Sequence, residues 1–256
     1  MGQNSKIEWT HHTRNLWWGC EEVHIGCENC YAKKMAGRFS KGLWEGSRQG
    51  YPNIFDKLAQ DQRRAFKKGE LHREFVGSMM DVFEKSIFLS NPTHDFSQTG
   101  QLREELFNRI SSGMYPNLLF LFLTKRPSNI CKMVPSAWLT APPTNVMYGT
   151  SLSEQRNETL VDQLLKAPGN HFLSVEPQVS FIELRERWFS GSSIVNWVIQ
   201  GGESGIARRP FDVGWATAMR DQCSELGVPY FFKQIDKVTA IPDELMVRQL
   251  PSCATL

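Results

Sequence analysis

The chain has 256 residues, of which 41% are hydrophobic and 22% charged, and a formal net charge of +2 at neutral pH. That composition excludes a disordered chain or a disulfide-dense scaffold, and it is far from the strongly basic balance of a protein that grips nucleic acid mainly by its phosphates. The length suits one domain, such as a parallel α/β barrel of about 250 residues, so 1–256 is read as a single unit.

The N-terminus lacks the apolar run of a signal peptide, and no stretch approaches the roughly 20 apolar residues of a membrane span, so a cytoplasmic protein with no membrane partner is expected. A first strand is expected around Trp9. Next comes Gly19-Cys20-Glu21-Glu22-Val23-His24-Ile25-Gly26-Cys27-Glu28-Asn29-Cys30-Tyr31. Thiolates so spaced can converge on a metal or cluster. A structural zinc site normally closes its tetrahedron with four side chains, whereas three cysteines on an iron–sulfur cluster leave one iron open for chemistry. His24 could complete a Cys3His zinc site, and a disulfide or buried thiols stay open as readings. Cys131, Cys223 and Cys253 are isolated and read as structural.

Two segments, Ser40 to Pro52 and Ser90 to Gly100, read as surface excursions, and the basic run from Gln62 to Lys68 as the solvated face of a short helix, with phosphate contact as its alternative. Apolar strands are predicted at Glu74 to Ser78, Asn117 to Thr124, Asn145 to Thr150, His171 to Val175, Asn196 to Gln200 and Pro229 to Phe232. Helical stripes lie between them: Leu102, Leu106 and Ile110; Leu160, Leu164 and Leu165 within Asn157 to Lys166; and Trp215, Met219, Cys223 and Leu226 within Asp212 to Leu226, with Asp212 as N-cap and Gly227 past the end. This alternation predicts an α/β fold with a partial or complete parallel (β/α) barrel.

In such a fold the C-terminal ends of the strands build the site. Here they are polar: Gly77-Ser78-Met79-Met80-Asp81, Thr124-Lys125-Arg126-Pro127, Gly149-Thr150-Ser151, Ser174-Val175-Glu176-Pro177, Gly201-Gly202-Glu203-Ser204-Gly205 and Lys233-Gln234. Together they predict a mouth with Asp81, Glu176 and Glu203 as acids and Lys125, Arg126 and Lys233 as bases. A zwitterionic, nucleoside-bearing ligand suits it. No Rossmann glycine fingerprint, Walker loop or nucleophile elbow is present, and no histidine is marked out for catalysis.

These motifs, with Ile7-Glu8-Trp9-Thr10 and Phe232-Lys233-Gln234, resemble a family of phage and bacterial three-cysteine-motif proteins of largely unassigned function, from about residue 6 to residue 251. The chain is also similar to the radical S-adenosylmethionine superfamily, especially its spore photoproduct lyase-like branch. The resemblance implies a [4Fe–4S] cluster on Cys20, Cys27 and Cys30, with S-adenosylmethionine on the open iron. It implies Ser78, Met79 and Asp81 around the methionine amino group, and Thr150 or Ser151 at its carboxylate or ribose. Lys125, Glu176, Glu203 and Lys233 are left for cofactor or substrate contacts. A nucleic-acid base or nucleotide is the implied substrate, for modification or repair, with an electron donor as partner and the host cytoplasm as location if the chain is phage-encoded. The alternative is a noncatalytic zinc or iron–sulfur module that works with a phage or host protein. Two departures stand out. Six residues separate Cys20 from Cys27 where the superfamily usually has fewer, and Asn29 holds a position that is often aromatic.

Overall fold

The computed structural model describes residues 5–39, 43–44, 46–93 and 95–254. In chain order the elements are β1 (His12–Arg14), β2 (Trp17–Trp18), α1 (Tyr31–Phe39), β3 (Arg48–Gly50), α2 (Ile54–Lys68) and β4 (His72–Val76). Next come β5 (Phe88–Thr93), β6 (Phe96–Gln98), α3 (Thr99–Ser111), β7 (Leu118–Thr124), α4 (Ile130–Met133) and β8 (Val146–Ser151). The chain ends with α5 (Thr159–Leu164), β9 (Asn170–Val175), β10 (Val195–Gly201), α6 (Val213–Glu225) and β11 (Tyr230–Gln234).

Seven strands form a parallel sheet in the order β1-β4-β7-β8-β9-β10-β11, curled into a half-barrel. Its central strands are buried on both faces, so β7 reads as the unbroken apolar run Leu-Leu-Phe-Leu-Phe-Leu before Thr124. Side chains still alternate. Leu118, Phe120 and Phe122 face the helices, while Leu119 and Leu121 join Phe75, Met147, Phe172, Trp197, Ile199 and Phe231 on the concave face. Gly149 is the bare position on that face, because a Cβ there would lie 2.3 Å from the Phe172 ring. The strand expected around Trp9 begins at His12, and Trp9 instead plugs the concave interior, its ring 4.7 Å from that of Phe75.

The predicted helices differ in detail. The α5 stretch is shorter than its pattern, and Val161 and Leu164, rather than Leu160, are its buried face. Asp212 caps α6 as expected, accepting from the Gly214 amide, while Ala216 replaces Trp215 in the buried stripe with Met219 and Cys223. The basic run belongs to a helix of 15 residues that buries Ile54, Phe55, Leu58, Asp61 and Ala65 and ends on Gly69 in the left-handed region. The two segments read as surface excursions supply strands of a second sheet, ordered β2-β3-β5-β6, although Ser40, Lys41, Gly42, Glu45 and His94 lie outside the described residues. The C-terminal segment runs back along β11, with Phe232 N–H donating to Val247 O and Gln249 N–H to Tyr230 O, which covers that sheet edge. Among the described residues, no helix is long and apolar enough to cross a membrane.

Where α2 crosses β1 and β4 the core is polar. Arg14 Nε donates to Asp61 Oδ2 at 2.8 Å, His12 and His72 share a hydrogen bond of 2.9 Å, and Glu74 is fully buried with neither carboxyl oxygen hydrogen-bonded among the described residues. Burial, then the nearby Asp61, pushes the Glu74 carboxyl well above the carboxylate range, so it sits in the fold as a neutral acid. Unfolded, it ionises above about pH 4.3, so its contribution to stability is lost as pH rises past that point. Glu74→Met is therefore expected to raise stability by about 1–3 kcal/mol at neutral pH and by less at pH 4. The neighbouring imidazoles act in the opposite sense, since burial lowers His11 to about 4 and His12 to about 3. Below about pH 6.5 only the unfolded chain protonates them, so wild-type stability falls towards pH 4 and His12→Gln flattens that slope. Urea midpoints of the three proteins at pH 4, 5.5 and 7 check both signs.

Candidate functional site

A cavity of about 1130 Å3, counting its open mouth, lies at the C-terminal ends of the parallel strands. Strand alternation decides which side chains reach it. On β8 the inward positions are Met147, Gly149 and Ser151, so Ser151, at the strand end, lines the cavity, fully buried, and its hydroxyl has no partner among the described residues. Thr150 falls on the opposite face, where its hydroxyl donates to Thr124 O at 3.0 Å, and it does not line the cavity. The same parity brings Ser174, Glu176 and Lys233 inward, and Glu176 and Lys233 form an ion pair. Lys125 also lines the cavity, and its ammonium has no hydrogen-bond or ion-pair partner among the described residues.

Cys20, Cys27 and Cys30 line this cavity together, Cys27 buried and the others half-buried. Gly19 sets the position of Cys20. It has φ of 113°, its N–H donates to Met79 O at 3.1 Å, and a Cβ would lie 2.3 Å from Leu43 O and 2.6 Å from Arg48 Cδ. The long stretch to Cys27 ends in a 3-10 turn, Ile25–Cys27, capped by His24, whose Nδ1 accepts from Gly26 N–H at 2.9 Å. His24 therefore caps its own loop, and it does not line the cavity. Burial, then Lys125 and Arg126, lowers it to about 4, so the ring is neutral.

Two arginines tie the cysteine loop to the strand ends. Arg126 Nη1 bonds Asp81 Oδ2 at 2.9 Å and lies 3.9 Å from Cys20 Sγ, while Nη2 donates to Glu21 O. Asp81 also accepts from Thr124 Oγ1, Lys125 N–H and Phe83 N–H, so it organises the β4 and β7 ends. Burial, with Asp81 and Glu84 adding, pushes the Cys20 thiol up to about 12 against the pull of Arg126, so a metal that binds it displaces a proton. On the other side Arg209 forms an ion pair with Glu203, bonds Glu28 at 3.1 Å and donates to Ile25 O at 3.3 Å. Burial disfavours the charge on Glu203, but Arg209 outweighs it and holds the carboxyl below its usual range. Asn29 donates to the same carboxylate at 3.2 Å, which gives that residue a role where an aromatic ring has none.

Ser78 and Met79 are engaged as well. Tyr31 OH donates to Ser78 O at 3.0 Å, Asn15 donates to the Ser78 hydroxyl, and the Met79 side chain packs against Ala32 and Ala36 of α1. The 77–81 loop is thereby locked to the helix that follows Cys30. Arg209 was not singled out by the sequence reading. Its signal was the Arg208-Arg209 pair just after the 201–205 glycine loop.

Among the described residues no three His, Cys, Asp or Glu side chains converge as the ligands of one metal ion would. A [4Fe–4S] cluster asks for something different, since each thiolate binds its own iron and the three sulfurs surround a volume. Three cysteines lining one cavity, their loop clamped at both ends, fit that demand.

The comparisons agree with this architecture. A family described as a protein of unknown function, DUF5131, matches residues 4–244. No curated protein matches the chain. Among solved structures the fold is similar to a spore photoproduct lyase with a tyrosine-to-phenylalanine substitution, at 12% identity and a TM-score of 0.57, over 91% of this chain and 78% of that one. It is also similar to a cysteine-to-serine variant, at 14% identity and a TM-score of 0.54, over 90% and 78%. A third similar structure, a cysteine-to-alanine variant with dinucleoside spore photoproduct, shows 14% identity and a TM-score of 0.51, over 87% and 63%. The half-barrel, with its polar mouth at the strand ends, thus shares its fold with the spore photoproduct lyases, and the chain belongs to the DUF5131 family.

Proposed function

We propose that this chain is a radical S-adenosylmethionine-type enzyme that modifies or repairs a nucleic-acid base or nucleotide. The observation that carries the reading is that Cys20, Cys27 and Cys30 share one cavity with the polar strand ends of the half-barrel. When bound on those cysteines, a [4Fe–4S] cluster supplies the electron, drawn from an external donor, that cleaves S-adenosylmethionine to methionine and a 5′-deoxyadenosyl radical. The chain binds, orients and excludes water. The Ser151 hydroxyl and the Lys125 ammonium, neither with a side-chain partner among the described residues, are a hydrogen-bonding group for cofactor carboxylate or ribose and a cation for a carboxylate. The 77–81 loop frames the methionine end, with Asp81 and Glu203 holding the arginines that fix the cysteine loop. Trp9, Phe75 and Leu123 give the cavity an apolar floor that keeps water from a reactive intermediate. Hydrogen abstraction needs no general base, and none is assigned. The nucleic-acid substrate is supported by the dinucleoside held in one similar structure and by a cavity in which acids, bases and apolar rings meet.

The test is purification without oxygen, quantification of iron, sulfide and zinc, reduction with dithionite and assay of S-adenosylmethionine cleavage. About four iron and four sulfide per chain with 5′-deoxyadenosine formed is the expected result. Stoichiometric zinc without cleavage would replace the proposal with a noncatalytic binding module.

A further inference from the structure

Beside the main cavity lies a second basin lined by Lys6, Glu8, Lys233, Gln234, Lys237, Thr239 and Ile241. Lys233 lines both, so the two are neighbours across one side chain. The charges of the basin do not balance locally. Glu8 is drawn to Arg248 at 3.1 Å, Glu176 is paired with Lys233, and Asp236 is held by Arg208 at 2.9 Å and by the amides of Val238 and Thr239. These three carboxylates are thus engaged, while among the described residues Lys6 and Lys237 form no ion pair or hydrogen bond. Lys237 is also fixed in place. Its φ of 70° is in the left-handed region, rare for a side-chain-bearing residue, and Asp236 ties down the two residues that follow it.

We propose that this basin is a phosphate subsite, which receives a phosphate of the nucleotide or oligonucleotide whose base enters the main cavity. The inference rests on the reading of the main cavity as a base or nucleotide site and narrows the substrate to phosphorylated forms rather than free bases or nucleosides. Two uncompensated ammonium groups beside a third are a site for an anion, and lysine is suited to phosphate as a mobile point charge. Burial, then the charge of Lys233, lowers the Lys237 ammonium, which an arriving phosphate reverses. The position matters as much as the charge. A base in the main cavity needs its sugar–phosphate link to leave through the mouth, and the basin borders that mouth at Lys233.

The test is lysine footprinting of the reconstituted protein with an acetylating reagent, read by mass spectrometry at constant ionic strength. The probes are chloride, inorganic phosphate, thymidine, thymidine 5′-monophosphate and a short single-stranded oligonucleotide. Phosphate and the phosphorylated probes are expected to slow acetylation of Lys6 and Lys237 several-fold, with thymidine without effect there and Lys67 and Lys68 unchanged by phosphate. Protection by the phosphorylated nucleotides and not by inorganic phosphate also supports the subsite, as a group bound only when its base is anchored. Equal labelling of Lys6 and Lys237 with all probes overturns it. In binding assays, Lys6→Ala with Lys237→Ala is expected to remove most of the advantage of thymidine 5′-monophosphate over thymidine, and retention of that advantage would also overturn the subsite. Labelling does not depend on S-adenosylmethionine cleavage, so a protein that cleaves but shows no protection refutes the subsite alone, and one that is protected but never cleaves refutes the enzymatic reading alone.

Discussion

Iron is expected to fall from about four per chain to background when Cys20, Cys27 or Cys30 is replaced by Ala, and to stay unchanged in Cys223→Ala. The contrast follows from placement. The first three thiols line the cavity at the strand ends, whereas Cys223 is 1% exposed on the inner face of α6, among Val198, Met219 and Tyr230. Loss of one thiolate would leave a second iron of the proposed cluster without a protein ligand. Gly19→Ala is the sharper probe, because it keeps every ligand. At φ of 113°, and with Leu43 O and Arg48 Cδ in the space a methyl would need, the substitution must shift the backbone at Cys20. Cluster loading of Gly19→Ala is expected to drop to roughly half or less while the fold persists. Full loading of this variant would show that Cys20 is positioned by something else, and equal iron in all the cysteine variants would remove the cluster from the account.

The sequence was most legible where strands are central. A parallel strand buried on both faces is a short apolar run, and β7 to β11 each fall within a few residues of their predicted bounds because such a run has no other use. The strand ends were legible for the same reason, since polarity resumes where the strand leaves the core. What could not be read was which neighbour at a strand end faces the cavity. Thr150 and Ser151 are chemically alike, and only the register of β8 against β7 and β9 puts Ser151 inside. The second sheet was invisible because its strands are short and carry Arg48, Gln49 and Asn91 rather than an alternating apolar pattern. Arg209 escaped because its role depends on Glu203 and the cysteine loop meeting in space across about 180 residues of chain, which no local spacing encodes.

Arg48→Ala is expected to lower stability by about 3–5 kcal/mol, a large effect for one residue in a segment whose composition reads as a surface loop. Arg48 and Glu84 are each 2% exposed, and the guanidinium grips the carboxylate as a fork, Nε to Oε1 at 2.9 Å and Nη2 to Oε2 at 3.0 Å. Trp17 Nε1 donates to the same Oε1 at 2.9 Å, so the pair joins β2 and β3 of the small sheet to the loop that carries Asp81. Burial, opposed by Arg48, already raises the Glu84 carboxyl, and without its partner the group must protonate or remain as an uncompensated buried charge. Removing both charges separates these costs: Arg48→Met with Glu84→Leu is expected to be much more stable than Arg48→Ala. Urea unfolding of the single variants and the double variant reads the difference, and a loss below about 1 kcal/mol for Arg48→Ala would mean that the pair behaves as an exposed one. The consequence reaches the site, because the Arg48 side chain is also the wall against which Gly19 packs. At temperatures where Arg48→Ala remains folded it is expected to load less iron than wild type, whereas Arg109→Ala, which removes an i,i+4 pair with Glu105 on α3, is not. Loss of both stability and iron in Arg48→Ala, with neither lost in Arg109→Ala, would join the proposed cluster site to the small sheet through one buried guanidinium.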